Sequence, residues 1–197
     1  MVKGWRKIID PKVAAWFGIL TPVLALLSIS ISIALSPWFS WTNNALSDLG
    51  VSSVALIFNA GLIMSGIFAS FFSISLAILN RKNSIRFVGS ITLFLSSLSL
   101  IGVGFFSESF GLVHFYFSVA FFTLLIISLI IFGVHFTLNM STRLLGAFTL
   151  LFGIISLIFW IIWAITHSSG VAIPEIINTV LASSWIVMLS IKMYKEK

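Results

Sequence analysis

Long apolar runs alternate with short polar breaks along the whole chain. The six apolar runs cover roughly residues 13–35, 53–79, 87–106, 112–138, 144–166 and 174–192. A helix needs about 20 predominantly apolar residues to cross the hydrocarbon core of a bilayer. Each run therefore predicts a transmembrane helix. The pattern predicts an all-α, polytopic membrane protein, a compact six-transmembrane-helix bundle that forms a single membrane-embedded domain over residues 1–197.

The longest break, 36–52, predicts a short interfacial helix after the first span. Pro37 ends that span, Thr42 or Asn43 can cap a short helix, and Gly50 can stop it in the left-handed conformation. We expect it to lie in the interface or to dip into the bundle, either as a capped loop or as a lid with a reactive or binding carboxylate. Its lipid-facing residues would be Trp38, Phe39, Trp41 and Leu46, and its other face would carry Asn44, Ser47 and Asp48.

The composition excludes soluble proteins. Only 8% of the residues are charged and the mean hydropathy is +1.18, whereas an average soluble domain has about 25% charged residues. A water-soluble enzyme or a DNA-binding domain cannot hide so much apolar surface. The isoelectric point near 10.1 reflects a scarcity of acids, so we expect no nucleic-acid partner. The absence of cysteine excludes disulfides and thiolate nucleophiles.

The distribution of charge predicts the orientation of the chain. All 11 lysines and arginines fall before the first span or after the second, fourth and sixth spans. Basic connections stay on the cytoplasmic side of a membrane. We therefore expect a multi-pass protein of the plasma (cytoplasmic) membrane with cytoplasmic N and C termini.

Three of the five acidic residues lie on the opposite side. Asp48, Glu108 and Glu175 fall one in each of the three outer connections, and His114 and His167 lie on the same side. Ionisable groups at a membrane boundary are candidates for function. Asp48, Glu108 and His114 are the candidate catalytic residues. The candidate binding residues are Trp41, Asn44, Ser47, Asp48, Asn59, Glu108, His114, His167 and Glu175.

Glu108 ends the third span and His114 begins the fourth, so a turn at Gly111 can bring them together. They form either a carboxylate–histidine pair for proton transfer or metal binding, or a solvated acid beside an interfacial histidine. The outer acids and histidines are also possible ligands of a divalent metal. No pair of them, however, has a diagnostic spacing such as HxxxH. No cofactor is predicted.

Polar residues near the sixth and second spans have structural explanations as well. Pro174 suits the first position of the sixth span, where the helix dipole would stabilise Glu175. Asn178 lies one turn below Glu175, and Asn59 lies within the second span. An amide in a membrane needs partners, so we expect helix–helix hydrogen bonds from both asparagines.

The chain resembles a family of archaeal and bacterial integral membrane proteins known as domain of unknown function 998. The resemblance rests on WTNNALSDLG at 41–50, FNAG at 58–61, Gly102-Val103-Gly104 leading to Glu108, and His114. It covers nearly the whole chain and implies a compact six-helix bundle with these residues as its signature, without an activity. Where such proteins often have a proline before the acid after span three, Ser107 stands here.

Three classes of function are compatible with the sequence. The first is a non-catalytic protein that interacts with membrane lipids or serves as an accessory to a membrane-protein partner or a second copy of itself. The second is an enzyme that acts on a lipid or a lipid-linked head group, with Asp48 or Glu108 as acid or base and His114 as its partner. The third is a transporter or lipid flippase, which predicts a polar path past Asn59.

Overall fold

Six long helices form the protein in the computed structural model, which describes residues 10–166 and 170–195. The helices are α1 (Pro11–Ala34), α2 (Ala55–Asn80), α3 (Ser84–Phe105), α4 (Leu112–Thr137), α5 (Arg143–Thr166) and α6 (Ala172–Lys195). All six are long and apolar enough to cross a membrane. Two short 3₁₀ helices, Leu46–Val51 and Glu108–Phe110, lie in the connections after α1 and α3. The chain is therefore an all-helical, multi-pass membrane protein, as the apolar runs predict.

Consecutive helices pack side by side, and α6 returns to close the bundle against α1. The buried core at the centre comes from α1, α2, α3, α4 and α6. Trp185 on α6 is fully buried there and lies 5.6 Å, between ring centroids, from Phe132 on α4. Helix α5 packs on α4 and α6 and is the least buried of the six. The acidic and basic connections lie at opposite ends of this bundle.

Small residues allow the helices to approach closely. A Cβ atom at Gly104 on α3 would lie 2.8 Å from the backbone oxygen of Asn59 on α2, so only glycine fits there. Many serines of the helices are buried, and most helical hydroxyls donate to a carbonyl three or four residues earlier, as Ser28 does to Ala25. This local bonding satisfies the hydroxyl without water, which is what helix packing in lipid requires.

Three local predictions are wrong. Leu46 is only 4% exposed and belongs to the core, because the 3₁₀ helix turns its apolar side inward. Gly50 does not adopt a left-handed conformation, and Gly111 is the one positive-φ glycine among the described residues. Pro174 is the third residue of α6, because the helix begins at Ala172. The predicted interfacial helix does form, as a 3₁₀ helix between α1 and α2.

We name the two ends of the bundle by their charges. The acidic end carries the connections α1–α2, α3–α4 and α5–α6, with Asp48 and Glu108, and Glu175 in the first turn of α6. The basic end carries the start of α1, the connections α2–α3 and α4–α5, and the end of α6. Residues 36–54, between α1 and α2, are called the roof segment.

A carboxyl cluster above an apolar cavity

Asn44 fastens the roof segment to the start of α6. Its backbone carbonyl accepts hydrogen bonds from the N–H groups of Val171 (3.1 Å) and Ala172 (3.0 Å). Its side-chain oxygen accepts from the N–H of Ser40 at 2.9 Å, and its amide nitrogen donates to Asp48 at 2.6 Å. The side chain therefore holds a tight loop and presents the Asp48 carboxylate at a fixed position.

Asp48 lies within the first 3₁₀ helix and is half-buried. One of its oxygens accepts from both the Asn44 amide and the N–H of Ala45, the latter at 3.1 Å. This is the pattern of an acid that caps a helix start, which needs no ligand to explain it. The same carboxyl group also shares a hydrogen bond with the side chain of Glu108. That second contact does not belong to a capping role.

Glu108 reaches Asp48 from the connection between α3 and α4. It begins the second 3₁₀ helix, which ends at Phe110 and is capped by Gly111 with a φ of 56°. Partial burial, the hydrogen bond with Asp48 and the negative charge of Asp48 raise the pKa of Glu108 from 4.5 to about 7. Two carboxyl groups can share a hydrogen bond only when one of them holds a proton. The pair therefore retains one proton up to near-neutral pH.

Glu175 is the third acid of this site and the most buried, at 8% exposed. Its Oε2 atom accepts a 2.7 Å hydrogen bond from the N–H of Leu46, the first residue of the first 3₁₀ helix. Glu108 and Asp48 both lie within electrostatic range of its carboxyl group. We call Asp48, Glu108 and Glu175 the carboxyl cluster. All the lysines and arginines of the described residues lie toward the opposite end of the bundle.

A cavity of about 70 Å³ lies directly beneath the cluster, and we call it the outer cavity. Glu175, Ser47, Ser118 and Thr179 supply its polar wall, and apolar side chains from four helices and the roof segment supply the remainder. A second cavity of about 50 Å³ is adjacent, since both are lined by Ala25, Leu100, Phe121 and Thr179. The two form an apolar column that runs from Glu175 toward the middle of the bundle.

His114 lies on α4 beside this cavity and is 7% exposed. Its Nδ1 lies 2.7 Å from the carbonyl oxygen of Phe106. Because a carbonyl oxygen only accepts, Nδ1 carries a proton, and Nε2 of a neutral ring accepts from the Ser118 hydroxyl at 3.3 Å. Both ring nitrogens are thus used, and Glu108 pairs with Asp48 rather than with His114. The predicted carboxylate–histidine pair is replaced by a carboxyl–carboxyl pair and a serine–histidine pair.

The two asparagines have partners other than those predicted. Asn59 donates from its amide to the backbone oxygen of Gly50 at 2.8 Å, so it holds the roof segment on α2. Asn178 is fully buried and donates to Pro174 in its own helix at 2.8 Å. Its side-chain oxygen has no hydrogen-bond partner among residues 10–166 and 170–195. The sequence predicts that both amides join two transmembrane helices, and neither of them does.

The structure brings together part of the predicted set. Asn44, Ser47, Asp48, Glu108 and Glu175 converge above or on the outer cavity, whereas Trp41 is 42% exposed at the rim. His167 lies outside the described residues. Sequence reasoning missed the cavity itself and Ser118, although Ser118 follows His114 by four residues and so lies on the same helix face.

No three histidine, aspartate or glutamate side chains of residues 10–166 and 170–195 are arranged to hold a metal ion. The arrangement is suited instead to binding a hydrogen-bond donor or a cationic group above an apolar space.

The comparisons with known proteins give a family without an activity. No curated protein and no solved structure matches the chain. The model of the family described as "Protein of unknown function (DUF998)" matches residues 19–192, which include all three acids of the carboxyl cluster, His114 and both cavities. The chain therefore belongs to the DUF998 family of proteins of unknown function.

Proposed function

We propose that this protein is a non-catalytic membrane protein that binds a lipid at the acidic end of its bundle. We place that end on the extracytoplasmic face of the cytoplasmic membrane, because basic connections are retained in the cytoplasm. The lipid's polar head would contact the carboxyl cluster, and part of its apolar body would enter the outer cavity.

The observation that carries this proposal is the position of Glu175. Glu175 is 92% buried and forms part of the wall of a mainly apolar cavity. Apolar cavities of this kind exclude water, whereas a buried carboxyl group needs a polar partner. The N–H of Leu46 already donates to Oε2 of Glu175, and a ligand with a polar head and an apolar body would match both the other polar groups and the apolar part of the lining.

The charge of the site indicates the head-group chemistry. The carboxyl cluster has three acids and a strong local excess of acceptors, and the basic side chains are at the other end of the bundle. A phosphate oxygen would be repelled there. The head group that fits is an ammonium or a group with several hydroxyl or N–H donors, which gain charge-assisted hydrogen bonds to a carboxylate.

The test is to extract the protein with its surrounding lipid and identify the retained lipid by mass spectrometry. We expect the wild type to retain one class of lipid in excess over the bulk membrane. Glu175→Gln should lower its retention about tenfold, since the amide nitrogen that replaces one carboxyl oxygen cannot accept a hydrogen bond from the head group, a loss of about 1–3 kcal/mol. Asp10→Asn, which removes the same charge at the basic end, should retain the lipid fully.

A second pair of variants tests the cavity without changing charge. Ala25 lines both cavities, so Ala25→Leu should fill the space and displace the lipid. Ala60→Leu adds the same volume at an exposed position on α2 and serves as its control. Retained lipid with the composition of the bulk membrane in the wild type, or equal retention by both variants, would contradict the proposal.

One observation favours a second candidate, a lipid-ester hydrolase. Ser118 lines the outer cavity and its hydroxyl donates to Nε2 of His114, whose other nitrogen is fixed by Phe106. In a hydrolase of this type the serine oxygen attacks an acyl ester, and the histidine takes its proton and passes it to the departing alcohol. Water then releases the acid and restores the serine.

The hydrolase is tested by a fluorophosphonate probe, which reacts covalently with an activated serine. Labelling of the wild type that is lost in Ser118→Ala and weakened in His114→Gln would favour the enzyme. Absence of label on the folded wild type would contradict the hydrolase and favour the non-catalytic function. For a carrier we find no comparable support, because Asn59 is engaged with Gly50 at the acidic end.

A further inference from the structure

A groove of about 540 Å³ lies at the basic end of the bundle, between α5 and α6. We call it the basic groove. It is open to the surroundings, unlike the cavities beneath the carboxyl cluster. Its walls are Ser141, Leu145, Met188, Ile191, Lys192 and Lys195. It shares no residue with the outer cavity, so any role it has is independent of the function proposed above.

The groove exists because α5 is loosely attached to the bundle. This helix packs mainly on α4, and it contributes no fully buried apolar side chain to the central core. Leu145 is in its first turn, opposite the last two turns of α6. The gap between these two helix ends is therefore left open at the level where the chain leaves the membrane.

The lining of the groove is divided into a charged part and an apolar part. Lys192 and Lys195 are three residues apart on α6 and so lie on one face of the helix. Met188 and Ile191 precede them toward the membrane interior, and Leu145 faces them from α5. No acid among the described residues lines the groove. The positive charge at the mouth of the groove matches an anionic head group, and the apolar wall below it matches an acyl chain joined to that head group.

At the start of α1, Lys12 also lies near the end of α6, and Asp10 precedes it by two residues. Asp10 accepts a hydrogen bond from the N–H of Lys12 at 2.8 Å and caps α1. The Lys12 ammonium lies 5.6 Å from the ring centre of Tyr194. Neither residue is part of the groove lining. Among the described residues, the charged side chains of the groove lining are its two lysines.

We propose that the basic groove binds an anionic phospholipid, with the phosphate at Lys192 and Lys195 and an acyl chain along Leu145, Met188 and Ile191. The apolar wall is the reason to name a lipid rather than free phosphate. A soluble anion would use only the lysines, whereas a lipid uses both parts of the lining. The bound chain would also fill the gap that separates α5 from α6.

The test uses the full chain in nanodiscs of phosphatidylcholine with increasing phosphatidylglycerol, and native mass spectrometry to count bound phosphatidylglycerol. The double variant Lys192→Gln/Lys195→Gln should bind it more weakly by about fivefold for each lysine removed. The control is Arg81→Gln/Lys82→Gln. It removes the same charge at the same end of the bundle, from exposed side chains outside the groove.

We expect near wild-type binding in the control, because only the groove lysines contact the lipid. Equal losses in the two double variants would show attraction to the whole basic end and would overturn the site. If both double variants bind phosphatidylglycerol as tightly as the wild type does, the proposed site is overturned too. All four positions tolerate glutamine in a helix or turn, so loss of folding does not obscure the result, and circular dichroism verifies this for each variant.

A third variant tests the apolar wall. Met188→Ala leaves both lysines in place and removes a side chain that a lipid would contact but inorganic phosphate would not. Weaker phosphatidylglycerol binding in this variant supports a lipid. Unchanged lipid binding, together with competition by millimolar inorganic phosphate, would show a simple anion site and contradict the proposal.

Discussion

At the scale of single residues, Asn44 joins the roof segment to α6 at the acidic end. The Asn44 side chain accepts from the N–H of Ser40 and donates to Asp48, and its carbonyl accepts two N–H groups at the start of α6. The adjacent asparagine, Asn43, is exposed. Two neighbouring residues of the same type thus have different roles, which the sequence WTNNALSD does not distinguish.

We expect Asn44→Ala to destabilise the protein by about 1–3 kcal/mol, because it leaves the N–H of Ser40 without its acceptor and removes one of the donors to the carboxylate of Asp48. For a chain of this length that is a fall in melting temperature of about 2–12 °C. Asn43→Ala is the matched control and should melt like the wild type. Equal melting of the two variants in detergent would contradict the assignment.

Glu108 gives the protein a pH dependence whose sign is fixed by its pKa. Its pKa is about 7 in the folded protein, against an ordinary value of 4.5, so the folded state holds the proton more tightly than the unfolded state. Stability therefore falls as the pH rises from about 4.5 to about 7. The fall is small, on the order of a few degrees in melting temperature, because Glu108 is partly exposed.

Glu108→Gln should flatten this part of the pH profile, because glutamine has no proton to lose in that interval. Ser109→Ala, at the next exposed position, should retain the wild-type slope. The measurement is the melting temperature of the three proteins between pH 4 and pH 8. Parallel profiles for Glu108→Gln and the wild type would show that the carboxyl pair does not share a proton.

At the scale of elements, the apolar runs predict the six helices because the thickness of the bilayer fixes their length. The predicted third run, 87–106, corresponds to α3 at Ser84–Phe105, and the extra turn is explained by Asn83, which caps the helix by accepting from the N–H of Arg86. The roof segment was harder to predict. Burial of Leu46 depends on which helices lie beside it, and a single sequence does not contain that information.

The approach of α2 to α3 is the contact between elements that most constrains the sequence. A Cβ atom at Gly104 would lie 2.8 Å from both the Asn59 backbone oxygen and a side-chain carbon of Ile63. We expect Gly104→Ala to force the helices apart at a cost of about 1–3 kcal/mol, measured as a lower melting temperature.

The control for this contact is Gly153→Ala. A Cβ atom there would lie 3.3 Å from a side-chain atom of Leu129, so small movements of side chains can accommodate it. If Gly104→Ala is as stable as Gly153→Ala, the backbones of α2 and α3 do not approach as closely at Gly104 as the 2.8 Å distance requires. The position of Asn59 beneath the roof segment would then no longer be supported.

At the scale of the whole molecule, the sequence predicts which end of the bundle holds the acids but not that they meet. Asp48, Glu108 and Glu175 belong to three connections, and the alternation of spans is enough to place these at one end. Their convergence requires α6 to return beside α1 and the roof segment to fold over the centre. The cavity beneath Glu175 follows from the same packing, so no local motif indicates it.

The orientation of the bundle gives the last prediction, and the composition makes it easy to test. The chain has no cysteine, so a single introduced cysteine is the only thiol in the protein. Ser109→Cys places it at an exposed position of the acidic end, and Lys82→Cys at an exposed position of the basic end. The proposed orientation puts the first outside the cell and the second inside.

A maleimide that does not cross membranes should therefore label Ser109→Cys in intact cells and Lys82→Cys only after the membrane is made permeable. The reverse pattern would place the carboxyl cluster in the cytoplasm, where head groups from the inner leaflet would reach it. Labelling of both variants in intact cells would instead show a mixed orientation. Either result would contradict the extracytoplasmic position of the acidic end in the proposed function. Lipid binding at Glu175 and the outer cavity is a separate claim, and the retention experiment tests it.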